Sequence, residues 1–458
     1  MKKNFPLLLV AAVSAAALPA AADETSDAIN SLKEQIQALD QKVRILERQR
    51  ELEGEAAAAK AKEAPKVTVG NNGLVARSGD GNFTFKLNGV LQVDNRTFFN
   101  ESHIKGNDGF LLRRARPIFS GTLFRDFDFL FVPDFGGSSA QIVDAYINYK
   151  YQPWLQARVG KMKVPVGLEH LQSDPVTFFS ERSIVTTLVP NRDMGFQLWG
   201  DVAEGRLSYA LGVFNGVGDG RSTSNSDFED HREFAGRLFA TPFKKSENKW
   251  ISNLGFGLAG SWGVFSSHAN GLPNGSGYAT DGQQQYFAYT NGVVADGAHW
   301  RISPQAYYYA GPFGLLAEYV VSHQEVSRGG FSADLEHKGW QIAAGWVLTG
   351  EDSSFSGLTP QKPFDPRNGQ WGAFQLVARY AEVDIDNDAF PLFANPAAAA
   401  SGAQSWSVGL NWFLNKNVRV NTSFSRTTFD GGGAGASAPG SVTRQPEEVV
   451  FSRVQLAF

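Results

Sequence analysis

Residues 155–199 read LQARVGKMKVPVGLEHLQSDPVTFFSERSIVTTLVPNRDMGFQLW. At the start, Leu155, Ala157 and Val159 alternate with Gln156 and Arg158; at the end, Phe196 and Leu198 alternate with Gln197 and Trp199. Both ends are therefore strands with one apolar and one polar face. The connection from Met162 to Asp193 is too long for a hairpin turn and too apolar for a solvated loop. It carries Val164, Val166, Leu168, Leu171, Val176, Phe178, Phe179, Ile184, Val185, Leu188 and Val189, with Lys161, Lys163, His170, Arg182 and Arg192 scattered among them. A connection both apolar and basic has to fold against something while its charges face water. The lumen of a large β-barrel offers both surfaces.

Outward from this stretch, the same period-two text runs from Phe83 to the end of the chain. Phe83, Phe85, Leu87, Leu91 and Val93 alternate with Thr84, Lys86, Asn88, Gln92 and Asp94, and similar segments recur at roughly the 9–11 residues that cross a membrane as a tilted strand. Sixteen such segments can be counted, joined alternately by short turns and longer polar loops. The span 265–298, rich in Gly, Ser, Asn and Gln, reads as an outside loop, and Thr349–Gln370 is a long connection on what should be the short-turn side. The chain ends on Phe458, with Leu456, Val454 and Val450 on one face. The fold class expected is all-β: a 16-stranded antiparallel transmembrane β-barrel with a short N-terminal α-helical coiled-coil segment.

Before the barrel, residues 1–22 read as a secretory signal peptide: Lys2 and Lys3, an apolar core from Leu7 to Ala17, and Ala20-Ala21-Ala22 as cleavage site. No later stretch has eighteen consecutive apolar residues, so a mature chain that enters a membrane does so as a barrel. Residues 23–60 form the expected coiled-coil segment in the periplasm, with Ile29, Ile36 and Val43 at a and Leu32, Leu39 and Leu46 at d. That pattern favours a dimer; three heptads are also short enough for a solvated amphipathic helix. Residues 61–82 read as a linker and 83–458 as the outer-membrane β-barrel domain.

Composition narrows function. With no cysteine there is no disulfide framework or thiolate metal site. The net charge of −4, which removal of Lys2 and Lys3 lowers to −6, gives no overall basic balance for nucleic acid. Catalytic motifs are missing. Gly435-Ala436-Ser437-Ala438-Pro439 lacks the last glycine of a nucleophile elbow, and the seven histidines show no metal spacing. Gly216-Val217-Gly218-Asp219-Gly220 lacks a phosphate-loop lysine. Asp384, Asp386 and Asp388 begin like a calcium loop, but Ala389 and Asn395 stand where glycine and glutamate are needed.

The cations are more telling. Strand parity puts Arg114 and Arg116 on the water-facing side with Ser120 and Thr122, Arg158 beside Gln156, Arg237 beside Glu233 and Arg379 beside Gln375. Arg113 falls on the other parity, where lipid phosphate is an alternative partner. Parity alone leaves open an anion pathway or a mixed wall neutralised by residues such as Glu233 and Asp144.

The segments Leu112-Arg113-Arg114-Ala115-Arg116-Pro117, Asp144-Ala145-Tyr146, Val159-Gly160-Lys161-Met162-Lys163 with Gly167-Leu168-Glu169, and Glu181-Arg182 resemble the phosphate-selective porin O/P family. So do Phe214-Asn215-Gly216, Ala235-Gly236-Arg237, Val347-Leu348-Thr349-Gly350-Glu351, Pro363-Phe364 and Ala378-Arg379-Tyr380, in order from about Leu87 to Phe458. The resemblance implies a sixteen-stranded barrel, a homotrimer, an inward third loop and a pore lined by cations. By motif position Arg113 and Arg114 match an arginine pair and Lys163 a constriction lysine, although Lys163-Val164-Pro165-Val166 departs from the family's lysine-proline-aspartate arrangement. Asp174 and Glu181 add negative charge nearby.

The expectation is thus a passive outer-membrane channel for phosphate or related small anions, in contact with outer-membrane lipid and needing no cofactor. Its pathway residues are Arg113, Arg114, Arg116, Arg158, Lys161, Lys163, Arg182, Arg192, Arg237 and Arg379. Arginine suits oxyanions because its planar fork offers two parallel donors. The alternatives are a general small-solute porin, a structural or adhesive barrel tethered through its coiled coil, and an outer-membrane hydrolase.

Overall fold

The computed structural model describes residues 22–99, 106–137, 139–224, 230–268, 271–273, 275 and 277–458. The signal-peptide reading falls almost wholly outside them. Two units are separate, residues 1–64 and 65–458. Within the first, Ala22–Glu63 is one helix. Its seam residues Ile29, Leu32, Ile36, Leu39, Val43 and Leu46 are all exposed.

The second unit begins with a hairpin, Lys66–Gly70 against Gly73–Arg77, where a linker was expected. Its second strand pairs with Thr84–Leu87. A side chain at Gly73, whose φ is +74°, would sit 2.2 Å from the Leu87 carbonyl oxygen, so the close approach requires glycine.

Sixteen antiparallel strands then close a barrel: β1 Thr84–Phe98, β2 Gly109–Leu123, β3 Phe127–Asp134, β4 Gln141–Gln152, β5 Leu155–Lys163, β6 Arg192–Val202, β7 Leu207–Phe214 and β8 Glu233–Ala240. The second half is β9 Asn253–His268, β10 Val294–Ala310, β11 Phe313–Arg328, β12 Phe331–Val347, β13 Ala373–Asp384, β14 Ala400–Phe413, β15 Val418–Gly431 and β16 Glu447–Ala457. β16 pairs with β1 from Val449↔Phe98 to Ala457↔Val90, and the Phe458 amide donates to the Gly89 carbonyl at 3.0 Å. Closure leaves no edge strand in lipid. Outward residues are apolar, as at Phe131, Ile147, Leu211, Trp262 and Trp406, while the inner wall is polar.

Two departures from the sequence reading have one cause. β11 and β12 run on to a tight Gly329-Gly330 turn, well past the segments expected, and the described residues between β9 and β10 fold inwards instead of standing in solvent. Leu272, Tyr278, Tyr286, Phe287 and Tyr289 from that span are buried, together with Ile385, Ala389 and Phe393 of the β13–β14 loop. They form one cluster with Val320, Val326, Leu335, Ala381 and Val383 of the wall. Towards the long-loop end the barrel is thus apolar inside, while Asp334 and Lys338 face outwards and are exposed. At the other end the long connection 349–370 places Phe355 against Tyr307, ring centroids 5.2 Å apart.

Candidate functional site

The β5–β6 loop, residues 164–191, folds into the lumen and lies against one side of the wall. Val164, Val166, Leu168, Phe178, Phe179, Ile184, Val185, Leu188 and Val189 are buried, while Leu171 and Val176 remain partly exposed. Glycines clear the wall for it. A side chain at Gly339 would meet Leu188, and one at Gly345 would meet Phe178. Wall side chains satisfy the backbone groups that the loop buries. Gln305 donates to the Val166 carbonyl at 2.8 Å, Asn411 to Phe178 at 2.9 Å, Arg419 to Thr177 at 2.8 Å and Gln455 to Pro175 at 3.0 Å. Glu318 accepts the Leu168 amide at 2.7 Å, and Gln341 bridges Glu318 and Glu169 at 2.6 and 2.9 Å. The loop's other side faces β2 and β4–β6 across a cavity of about 450 Å³.

That cavity is where the expected cations gather. Arg113, Arg114, Arg116, Lys161, Arg182 and Arg192 line it, with Asp174, Glu181 and Asp219. Consecutive Arg113 and Arg114 both reach inwards because the β1–β2 register shifts between Gln92↔Arg114 and Val93↔Leu112, leaving Arg113 as a bulged residue. This corrects the simple parity that kept Arg113 on the outer face. At Gly160 φ is +128°, and a side chain there would lie 2.2 Å from the Ala145 carbonyl oxygen. Beyond it alternation ends: Lys161 and Met162 are both buried, and Lys163 reaches inwards to the loop.

These cations do not stand free. Glu181 takes Arg113 at 2.6 Å, Arg96 at 3.1 Å and Arg453 at 3.0 Å. Asp174 takes Arg182 at 2.6 Å, Arg114 at 3.3 Å and Arg116, which also holds Asp134 at 2.6 Å. Arg192 pairs with Asp144 at 3.1 Å, and Lys163 donates to the carbonyls of His170 and Gln172 at 2.8 and 2.7 Å. Burial disfavours charge on both loop carboxyls, but the arginines outweigh it. Arg114, Arg182 and Arg116 hold Asp174, and Arg113 and Arg453 hold Glu181, well below the usual carboxylate range. Burial, then Arg182 and Lys163, pushes His170 far below the ordinary imidazole value, so it stays neutral. Asp219 likewise remains ionised against Arg301 at 2.6 Å.

Four of the ten expected pathway residues sit elsewhere. Arg158 and Arg237 line a second cavity of about 430 Å³ on the short-turn side, shared with Lys163. Arg379 is buried between the loop and the wall, held by Glu169 at 3.3 Å and Asp281 at 2.9 Å and lying over the Phe179 ring. Its place is that of a loop anchor. Sequence reading missed Arg96, Arg301, Arg419 and Arg453, which also point inwards. The signal was available: Trp300 and Ile302 flank Arg301, and Val454 follows Arg453; Ile302 and Val454 are exposed on the outside and Trp300 partly so.

Comparison with known proteins agrees with this architecture. The chain is 23% identical over 394 residues to Porin O of Pseudomonas aeruginosa, covering 78% of this chain and 86% of that one. Its fold is similar to that of the outer membrane channel DcaP of Acinetobacter baumannii, with a TM-score of 0.51, 11% identity and coverage of 82% and 97% of the two chains. An anion-selective porin from Comamonas acidovorans gives a TM-score of 0.50 at 13% identity, over 82% and 100%. Residues 85–433, nearly the whole barrel, match the family described as phosphate-selective porin O and P, and the chain belongs to that family of outer-membrane porins.

Proposed function

We propose that the barrel is a passive, anion-selective channel whose solutes are phosphate and related small oxyanions. The supporting observation is the charge of the cavity above the inward loop: six cationic side chains line it against three carboxylates, and one of those, Asp219, is already taken by Arg301. An anion entering a narrow lumen loses hydration, and this surplus of N–H donors replaces part of it. The pathway residues are Arg113, Arg114, Arg116, Lys161, Arg182 and Arg192 at the loop, then Lys163, Arg158 and Arg237 on the short-turn side, with Arg379 anchoring the loop. Such a channel is a homotrimer in the outer membrane, as the family resemblance implies, with the N-terminal helix as a periplasmic coiled coil. The extensive pairing around Asp174 and Glu181 favours the second reading, a general small-solute porin.

Reversal potentials under a salt gradient separate the two. Wild-type channels should prefer chloride to potassium, and replacing Arg114, Arg116 and Lys163 together by glutamine should move that preference sharply towards cations. A triple variant with the wild-type reversal potential would leave only the general porin.

A further inference from the structure

The cavity on the short-turn side differs in kind from the one above the loop. Of its charged residues, Arg158 and Arg237 have no carboxylate within ion-pair distance among the described residues, and Lys163 is held by carbonyl oxygens alone. The acids at its edge are engaged: Asp144 with Arg192 at 3.1 Å, and Asp201 with the Ser208 hydroxyl at 2.5 Å. Arg158 is clamped between two aromatic rings, its guanidinium carbon 4.3 Å from the Tyr146 centroid and 4.8 Å from that of Trp199. Trp199 is fixed in turn by its indole N–H, which donates to Asn148 at 2.8 Å. No described acceptor takes a hydrogen bond from Arg158, and its Nε is buried without one. Arg237 donates from Nε to Gln305 at 2.8 Å and lies over Phe239.

A bare phosphate ion is hydrated on all sides and gains little from aromatic walls. An organic oxyanion divides differently: its charged end needs N–H donors, and its body gains from leaving water for an aromatic surface. A cavity of about 430 Å³ falls within the roughly 300–1,000 Å³ of small-molecule sites, which are mostly apolar with a few placed polar groups. Resting on the anion-channel reading, we propose that this cavity is a subsite for small organic oxyanions with a flat apolar body, such as an aryl phosphonate or aryl carboxylate. The oxyanion is taken by Arg158, Arg237 and Lys163, and the body lies against Trp199 and Tyr146.

The test compares phenylphosphonate with methylphosphonate as blockers of chloride current through single wild-type channels in planar bilayers. The charged group is the same, so the difference reads the body alone. Phenylphosphonate should halve the current at roughly one-tenth of the methylphosphonate concentration, the scale of burying part of one ring. Trp199→Leu should bring the two compounds within about threefold, and Tyr146→Leu should act in the same direction as a separate check on the fold around Arg158. Arg158→Gln should weaken both compounds together. Equal block of the wild type by the two phosphonates, or a preference that survives in both Trp199→Leu and Tyr146→Leu, would overturn the subsite. Wild-type reversal potentials recorded in the same bilayers report the anion reading separately. A channel that prefers chloride yet blocks equally with both compounds refutes the subsite alone.

Discussion

Removing one negative charge from the constriction should make the channel more anion-selective, and Asp174→Asn is the cleanest way to do it. Asp174 is shared by Arg114, Arg116 and Arg182, so its loss leaves one more uncompensated positive charge beside the cavity. For unit charges about 6 Å apart at an effective dielectric near 20, the change is about 2.8 kcal/mol. Screening over a Debye length of about 10 Å at 0.1 M reduces this to about 1.5 kcal/mol, roughly tenfold in ion occupancy. With a Debye length of about 3 Å at 1 M, about 0.4 kcal/mol remains, roughly twofold. The shift has opposite sign for cations, so the anion/cation permeability ratio should rise about tenfold or more at 0.1 M and only about two- to fourfold at 1 M. Breaking a buried pair can cost about 3–5 kcal/mol, but here each arginine keeps a second acceptor. Arg116 retains Asp134 at 2.6 Å, Arg114 retains Gln92 at 2.7 Å and Arg182 retains the Gln172 carbonyl at 2.9 Å. The loop should therefore stay in place. Reversal potentials at the two salt concentrations measure the effect. An unchanged or lower ratio in channels of wild-type conductance would refute the claim that this carboxylate holds selectivity down.

Three further outcomes follow from the same geometry. Phe178→Asp with Phe179→Asp removes two buried rings worth about 1.5–3 kcal/mol each, so single-channel current should become noisier or change in size; unchanged traces would contradict the packing. On the proposed trimer, with barrel walls supplying most of the interface, deleting Ser26–Glu53 should leave the oligomer intact on unheated gels; complete loss of oligomer would assign association to the helix. Asp174 and Glu181 have folded pKa values depressed below their unfolded ones, so their contribution to loop stability is full above the ordinary carboxylate value and is lost as pH falls through the folded values. The part of selectivity and noise that these two carboxyls set should thus change only below about pH 4, as recordings at stepped pH would show.

The sixteen strands were legible because lipid imposes a rule on every second residue: Phe196 and Leu198 must be apolar whatever the lumen needs. That rule fails where lipid ends. Val326 and Leu335 point inwards against folded loops, so the extended halves of β11 and β12 do not look like membrane strands. The inward loop was legible from Phe178, Phe179, Val185 and Leu188, which would be wasted in water. Composition misled at 265–298, where abundant small polar residues hid Tyr278, Tyr286, Phe287 and Tyr289. The orientation of Arg113 was illegible for a different reason. Its bulge depends on register against β1, a property of two strands that parity within one cannot express. Pairing is equally non-local: Glu181 meets Arg113 68 residues away, and Asp174 meets Arg116 58 away.

That pairing bears on how an anion channel works. An arginine buried in a narrow lumen with no counter-charge would attract an oxyanion strongly and release it slowly, and conduction needs both entry and exit. Carboxylates shared among several arginines, as Asp174 and Glu181 are, hold the guanidinium groups in position while lowering the net charge that an ion meets. The arginines still present N–H donors, but in competition with groups already bonded, so a passing ion exchanges one set of acceptors for another. On the short-turn side, where Arg158 and Arg237 lack carboxylate partners among the described residues, the field is less balanced and the aromatic walls add a second means of holding a solute. Selectivity for anions can therefore reside in the excess of cations along the whole path, while discrimination among anions resides where those cations are least neutralised.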